Sequence, residues 1–381
     1  MDLAAGSAVD FADPRDRIAA LAGPYSLPDG EVPLVDGVPR WPWEADVARQ
    51  RLDRIATRLG LRLSGGESLL EGASNDAWLI GDKVLRVCWR GDIDRLLREV
   101  SLARALPEAV HCPQPLDYGR DETLSWTLTA RVVGTPLAQI WGIAPEPQLR
   151  GYVQQLAEML AALHAWTPPR EITDMLTLAA PGDADNALGI TGKSVVPLAL
   201  THQLRLVEYI KTMPFVDGAL MDDVAAWLAE AHAGSSIPAG PRVFLHGDVT
   251  PGNVLVRDGR VVGLLDYEWA WFGPRDAEFA LPLFWRDSQD PDSRADRYVT
   301  WLAAEYPALA NLPDAAERQR LYRAAFALRG AVHWPPDGPE ADLEPYHPIL
   351  LLRRLLAAAG SGPGLGGLGS RSGPDPSPQG T

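Results

Sequence analysis

Between residues 244 and 266 the chain reads FLHGDVTPGNVLVRDGRVVGLLD, and this stretch restricts the possible folds more than any other. Asp258-Gly259 separates two branched, apolar runs, and that residue pair favours a two-residue hairpin turn. With those two in the loop, Arg257 pairs with Arg260, and counting outward predicts that Asn253 pairs with Leu264. Asp266 then shares a face with Asn253 as its diagonal neighbour, about 7–8 Å away at Cα. An amide oxygen and a carboxylate converging from one face suit a hard cation, above all Mg²⁺. Asp248 lies just ahead of the first strand, where a second acid can approach that cation without joining its ligands.

Phosphoryl transfer from a nucleoside triphosphate needs this division of labour: one acid to orient a hydroxyl and take its proton, an amide and another acid to hold the metal. Asp248 is the candidate base, and Asn253 with Asp266 the candidate metal ligands. The spacing H-G-D-x-x-x-x-N parallels the H-R-D-x-x-x-x-N of protein kinases. Asp266 stands where the metal-binding Asp of D-F-G would, although this chain reads Asp266-Tyr267-Glu268. His246 is read as orienting the loop. Glu268 is a candidate for contact with the metal or a substrate amine, with a plain solvent-facing position as the alternative.

Upstream, EADVARQRLDRIATRL (44–59) has helical apolar spacing. SLLEG, DAWLIG and KVLRVCW read as three short strands, and a helix from Asp92 to Leu106 follows. PLDYGR and LSWTLTARVV add a further strand pair. Beyond Gly134 the pattern becomes helical, with a stripe of Leu149, Val153, Leu156, Leu160 and Leu163. Further helices are expected over 201–212, 219–232 and 276–358, with strands returning only around 242–266. The tail from Gly360, rich in Gly, Ser and Pro, is expected to be disordered.

Of 381 residues, 22% are charged, and the net charge of -15 argues against nucleic-acid or anionic-membrane partners. An anionic ligand therefore needs a local basic pocket or a metal. Cys88 and Cys112 form no ligand pattern. The acidic start carries no apolar leader and no run approaches a membrane span, so a soluble, cytoplasmic protein is expected.

LHGDVTPGNVLV and GLLDYEWAWFGPRDAEFA, with GASNDAWLI, VLRVCW, REVSLARAL and RVVGTPL ahead of them, resemble the aminoglycoside phosphotransferase and choline kinase family. The resemblance covers roughly residues 65–290. It implies an α+β, two-lobed protein-kinase-like fold, with a small antiparallel-sheet N-lobe and a larger, mostly helical C-lobe. The expected division is an irregular arm over 1–43, an N-lobe over 44–131, a C-lobe over 132–359 and a tail over 360–381. In such a lobe Ser74 would meet the phosphates and Val84 would lie on adenine. Arg86, partnered by Glu99, would position the phosphates, with Lys83 on the opposite face of the strand. The backbone of Ala130 and Val132 would pair with the adenine edge. Glu278 would support the catalytic loop. The implied activity is an ATP- (or GTP-) and Mg²⁺-dependent kinase acting on a small-molecule hydroxyl, an antibiotic or another amine-bearing natural product. A kinase of peptide Ser or Thr and a non-catalytic nucleotide-binding scaffold are the alternatives.

Overall fold

The computed structural model describes residues 34–35, 38–39, 45–70, 75–89, 94–178, 199–234, 242–287, 289, 293–312 and 314–360. Leu34–Val35 (β1) and Val38–Pro39 (β2) form a small antiparallel ladder, where the sequence reads as an irregular arm.

Helix α1 (Ala45–Leu59) buries Val47, Leu52 and Ile55 on one face. Five strands follow as an antiparallel sheet: β3 (Ser68–Leu70), β4 (Asp76–Ile80), β5 (Lys83–Cys88), β6 (Pro115–Arg120) and β7 (Ser125–Ala130), in the order β3-β4-β5-β7-β6. Leu85 and Val87 alternate with Arg86, so the apolar pair meets Leu52, Ile55 and Trp126 in a core while Arg86 points to the other face. Helix α2 (Arg95–Ala105) packs on that other face, between β5 and β6. Its cap residue is Asp94; the expected cap, Asp92, lies outside the described residues.

The chain leaves the sheet through 131–134 into β8 (Thr135–Pro136), a strand absent from the sequence reading, and α3 (Leu137–Trp141). Helix α4 (Glu146–Ala165) carries the predicted stripe, and all five of its leucine and valine positions are buried. Helices α5 (Arg170–Leu178), α6 (Leu200–Lys211) and α7 (Gly218–Gly234) follow.

Strand β9 (Arg242–Leu245) leads into the catalytic-type loop, and β10 (Val254–Arg257) with β11 (Arg260–Leu264) forms the hairpin behind it. Asp258 and Gly259 both have positive φ, as the two-residue turn demands. Strand β12 (Trp271–Pro274), which the sequence reading missed, pairs with β9. Helices α8 (Ala280–Asp287), α9 (Ala295–Glu305), α10 (Ala315–His333) and α11 (Pro348–Gly360) complete the described elements. One core joins α4, α9 and the hairpin, and a second joins α6, α7, α10 and α11. No described helix is long and apolar enough to cross a membrane.

Candidate active site

The loop between β9 and β10 is held from below by one carboxylate. Glu278 accepts hydrogen bonds from the backbone N–H of His246 (3.0 Å) and Gly247 (2.7 Å) and meets His164 Nε2 at 2.9 Å. Burial works to raise its pKa, but the bonds from His164 and the loop prevail and hold it below the usual carboxylate range. Glu278 thus sits where loop support was expected. His246 is fully buried, and burial pushes its pKa down to about 4, so its ring is neutral. Its Nδ1 accepts the Asp248 N–H (3.1 Å), which leaves Nε2 to donate to the Leu265 carbonyl (2.9 Å). Both ring nitrogens are committed to backbone, consistent with an orienting residue. From above, Tyr298 donates to the Val249 carbonyl at 2.5 Å.

Asp248 emerges half-buried from this braced loop. Its Oδ1 accepts from Thr250 Oγ1 (3.0 Å), and Asn253 Nδ2 donates to its carbonyl (3.0 Å). Burial, and then the charge of Asp266, push the Asp248 carboxyl up to about 7. A carboxylate titrating there is matched to taking a proton near neutral pH.

The backbone around Asn253 and Asp266 differs from the expected register. Val256 faces Val261 but Leu255 faces Gly263, so Val262 is an extra residue on β11. The bulge moves the pairing on by one, and Leu265 N–H bonds the Asn253 carbonyl at 2.8 Å. Asn253 closes a 3₁₀ turn (Pro251–Asn253), and Asp266 follows the strand with φ 66°, a left-handed conformation open to Asp. The two residues therefore flank the hairpin's open end, one before β10 and one after β11; they are not diagonal neighbours on one strand face.

Arg86 reaches this point from β5. Its Nη1 bonds Glu99 Oε2 at 2.6 Å and its Nη2 bonds Asp266 Oδ1 at 3.0 Å, with Glu268 at 4.0 Å. Burial opposes its charge, but the carboxylates of Glu99, Asp266 and Glu268 hold it firmly protonated. Glu99 is pushed up to about 7, first by burial and then by Asp266 and Glu268, against the pull of Arg86. Lys83 instead pairs with exposed Asp82.

Glu268 does not face solvent. Its side chain is 5% exposed and accepts from Asn75 Nδ2 (3.3 Å) and Trp269 Nε1 (3.1 Å), with Arg95 Nε at 3.5 Å. Arg95 in turn holds Asn75 Oδ1 through Nε and Nη2. Sequence reasoning assigned no role to Arg95, which lies outside the motifs, or to Asn75, which lies within GASNDAWLI, because only the folded chain brings them to residue 268. Oxygens of Glu99, Asp266 and Glu268 lie within 4.8 Å of one another, a hard-oxygen set suited to a divalent cation. This set shares Asp266 with the expected pair and lacks Asn253, whose Nδ2 donates to the Asp248 carbonyl; its carboxylates are of the kind that would hold Mg²⁺.

Toward the nucleotide end, Val84 is half-buried on β5. The Arg131 N–H is committed to the Asp82 carbonyl (2.8 Å), so strand alternation turns the peptide groups of Ala130 to the opposite side. Val132 lies in the following link, against Gly263. Ser74 lies outside the described residues.

A braced acidic loop, a carboxylate just past the hairpin and an arginine–glutamate pair joining the five-stranded sheet to its helix define a phosphotransferase of protein-kinase-like fold. Solved structures agree on the fold. The GDP complex of wild-type aminoglycoside 2'-phosphotransferase-IIIa superposes with a TM-score of 0.58 at 18% identity, covering 82% of this chain and 99% of its own. The apo form of a thermostable mutant of aminoglycoside phosphotransferase APH(4)-Ia gives 0.59 at 21% identity, with the same coverage. In sequence, an aminoglycoside 3'-phosphotransferase of Streptomyces ribosidificus is 26% identical over 235 residues, 54% of this chain and 76% of that protein. The hygromycin-B 4-O-kinase of Escherichia coli is 25% identical over 237 residues, 62% of each chain. The model of the Phosphotransferase enzyme family matches residues 66–312, and the chain belongs to that family.

Proposed function

We propose that this chain is an ATP-dependent, Mg²⁺-requiring kinase that transfers the γ-phosphoryl group to a hydroxyl of a small, amine-bearing molecule of the aminoglycoside antibiotic kind, and so confers resistance. The observation that carries the reading is Asp248, poised near neutral pKa beside Asp266 on a loop whose backbone is fixed from both sides. Asp248 orients the acceptor hydroxyl and takes its proton. Asn253 and Asp266 hold the metal, which when bound supplies charge neutralisation of the triphosphate. Arg86, kept in place by Glu99, lies against the phosphates, with Ser74 as a further donor. Val84 lines the adenine face, and the peptide groups of Ala130 and Val132 meet its edge. Glu268 binds Asn75 and stands beside Arg95, so its part is to tie the segment after Asp266 to the sheet and to add a carboxylate beside the metal rather than to meet a substrate amine.

The acceptor class rests on the named relatives, and the net charge of -15 favours a cationic acceptor. Asp248→Asn tests the assignment. Nucleoside diphosphate release is followed across a panel of aminoglycosides, hygromycin B and Ser/Thr peptides. The variant should lose roughly 10²-fold or more in kcat while its nucleotide affinity holds within about twofold. An unchanged kcat removes the base, and turnover of peptides alone removes the acceptor class.

A further inference from the structure

A cavity of about 390 Å³ lies apart from the catalytic loop, among α8, α9, the first half of α10 and the end of α11. Its size falls within the range of small-molecule sites. One wall is apolar, built by Phe279, Leu283 and Val299. The other carries four guanidinium groups, Arg286, Arg320, Arg323 and Arg354, against a single lining carboxylate, Asp287. The chain as a whole has 35 Lys and Arg against 50 Asp and Glu, so this concentration of cations runs against its overall balance.

Three carboxylates, one of them exposed, stand against these four guanidinium groups. Asp287 serves both Arg286 (2.7 Å) and Arg323, and the exposed Asp296 lies 3.6 Å from Arg286 Nε. Arg320 has Glu317 at 2.6 Å, on its own helix, and Arg354 donates to a neutral acceptor, the Pro345 carbonyl, at 2.6 Å. Arg323 Nε and Gln319 Oε1, both from lining residues, are buried without a hydrogen-bond partner among the described residues. Buried polar atoms are seldom left so, and each one asks what satisfies it.

We propose that this cavity binds a small amphipathic monoanion, a carboxylate on an apolar chain. The carboxylate lies on Arg323 and its arginine neighbours, and the chain packs against Phe279, Leu283 and Val299. The site is separate from the reaction centre, so binding is read without turnover.

Isothermal titration of the full chain with hexanoate, octanoate, decanoate and dodecanoate, beside octanol and octylamine, tests it. Octanoate should bind at least about tenfold more tightly than octanol, the scale of a charge-assisted hydrogen bond, and octylamine more weakly still. Arg323→Met and Arg354→Met should each weaken octanoate by about tenfold and leave octanol unchanged. Arg354 is exposed, so its variant keeps the test open should Arg323→Met fail to fold. Ala303→Phe, which fills the cavity, should remove octanoate binding without lowering the melting temperature. Equal affinity for octanol and octanoate, no carboxylate binding at millimolar concentration, or full binding by Ala303→Phe would each overturn the proposal.

Discussion

Gly247→Ala isolates the contact between the loop and the segment that follows Asp266. Gly247 has φ +83°, and a methyl there would meet the Trp269 backbone, overlapping the carbonyl oxygen and lying 3.0 Å from the carbonyl carbon. Carbon contacts sit at roughly 3.5–4.0 Å, so the loop must retreat by about 0.5–1 Å from that carbon, and further from the oxygen. Neither side yields easily. Gly247 N–H is tied to Glu278 at 2.7 Å, and Trp269 follows Glu268, whose side chain is held from β4 and α2. A left-handed alanine adds about 1–2 kcal/mol of its own. Since Asp248 is the next residue, the retreat displaces the proposed base, and a misplacement of about 1 Å is worth roughly 10²-fold in rate. Steady-state kcat with an accepted aminoglycoside, beside nucleotide affinity by titration, reads the effect. Loss of about 10²-fold in kcat with nucleotide affinity kept within about threefold is expected. A Gly247→Ala enzyme that folds and retains kcat within twofold refutes the close-packed geometry.

Arg86→Met should destabilise the chain by about 2–4 kcal/mol, somewhat below the range for removing one partner of a fully buried pair, because the Arg86 side chain keeps 21% exposure. Adding Glu99→Gln should recover more than half of that loss in urea unfolding, since it removes the stranded charge; purely additive losses would show that the pair is not coupled. His246 gives a pH signature: its folded pKa of about 4 lies below the ordinary 6.5, so the unfolded chain takes the proton first. Stability from this residue is complete above pH 6.5 and is lost as pH falls toward 4, by about 3 kcal/mol in all. Urea midpoints of the parent and of His246→Gln should diverge across that window by a one-proton slope, and parallel curves would contradict the buried neutral ring.

The parts legible in the sequence were those fixed by local chemistry. Asp258-Gly259 set the hairpin turn, the 149–163 stripe set α4, and the alternation around Arg86 set which face it shares. The register of the hairpin was not legible, because the extra residue at Val262 changes no residue type that counting could detect. Nor was β12, four residues including Gly273 and Pro274 with no alternation of their own, which are a strand only because β9 lies beside them. Glu268 read as undecided for the same reason. Its partners Asn75 and Arg95 come from β4's leading edge and the start of α2, and sequence distance hides the meeting.

Arg86 shows why a guanidinium, where protein kinases place a lysine, suits this site. Its Nη1 and Nη2 point apart, one to Glu99 on α2 and the other to Asp266 beyond β11. A single ammonium on the same strand has the charge but not the fork that holds two carboxylates in fixed directions at once. The fork also separates two duties. The 2.6 Å bond to Glu99 joins strand to helix within the sheet region, whereas the 3.0 Å bond to Asp266 spans from the sheet to the hairpin. On the proposed function, Arg86 would exchange Asp266 for a phosphate oxygen while Glu99 keeps it aimed, and the Asp266 carboxylate so released would be the group to hold a divalent cation beside the triphosphate.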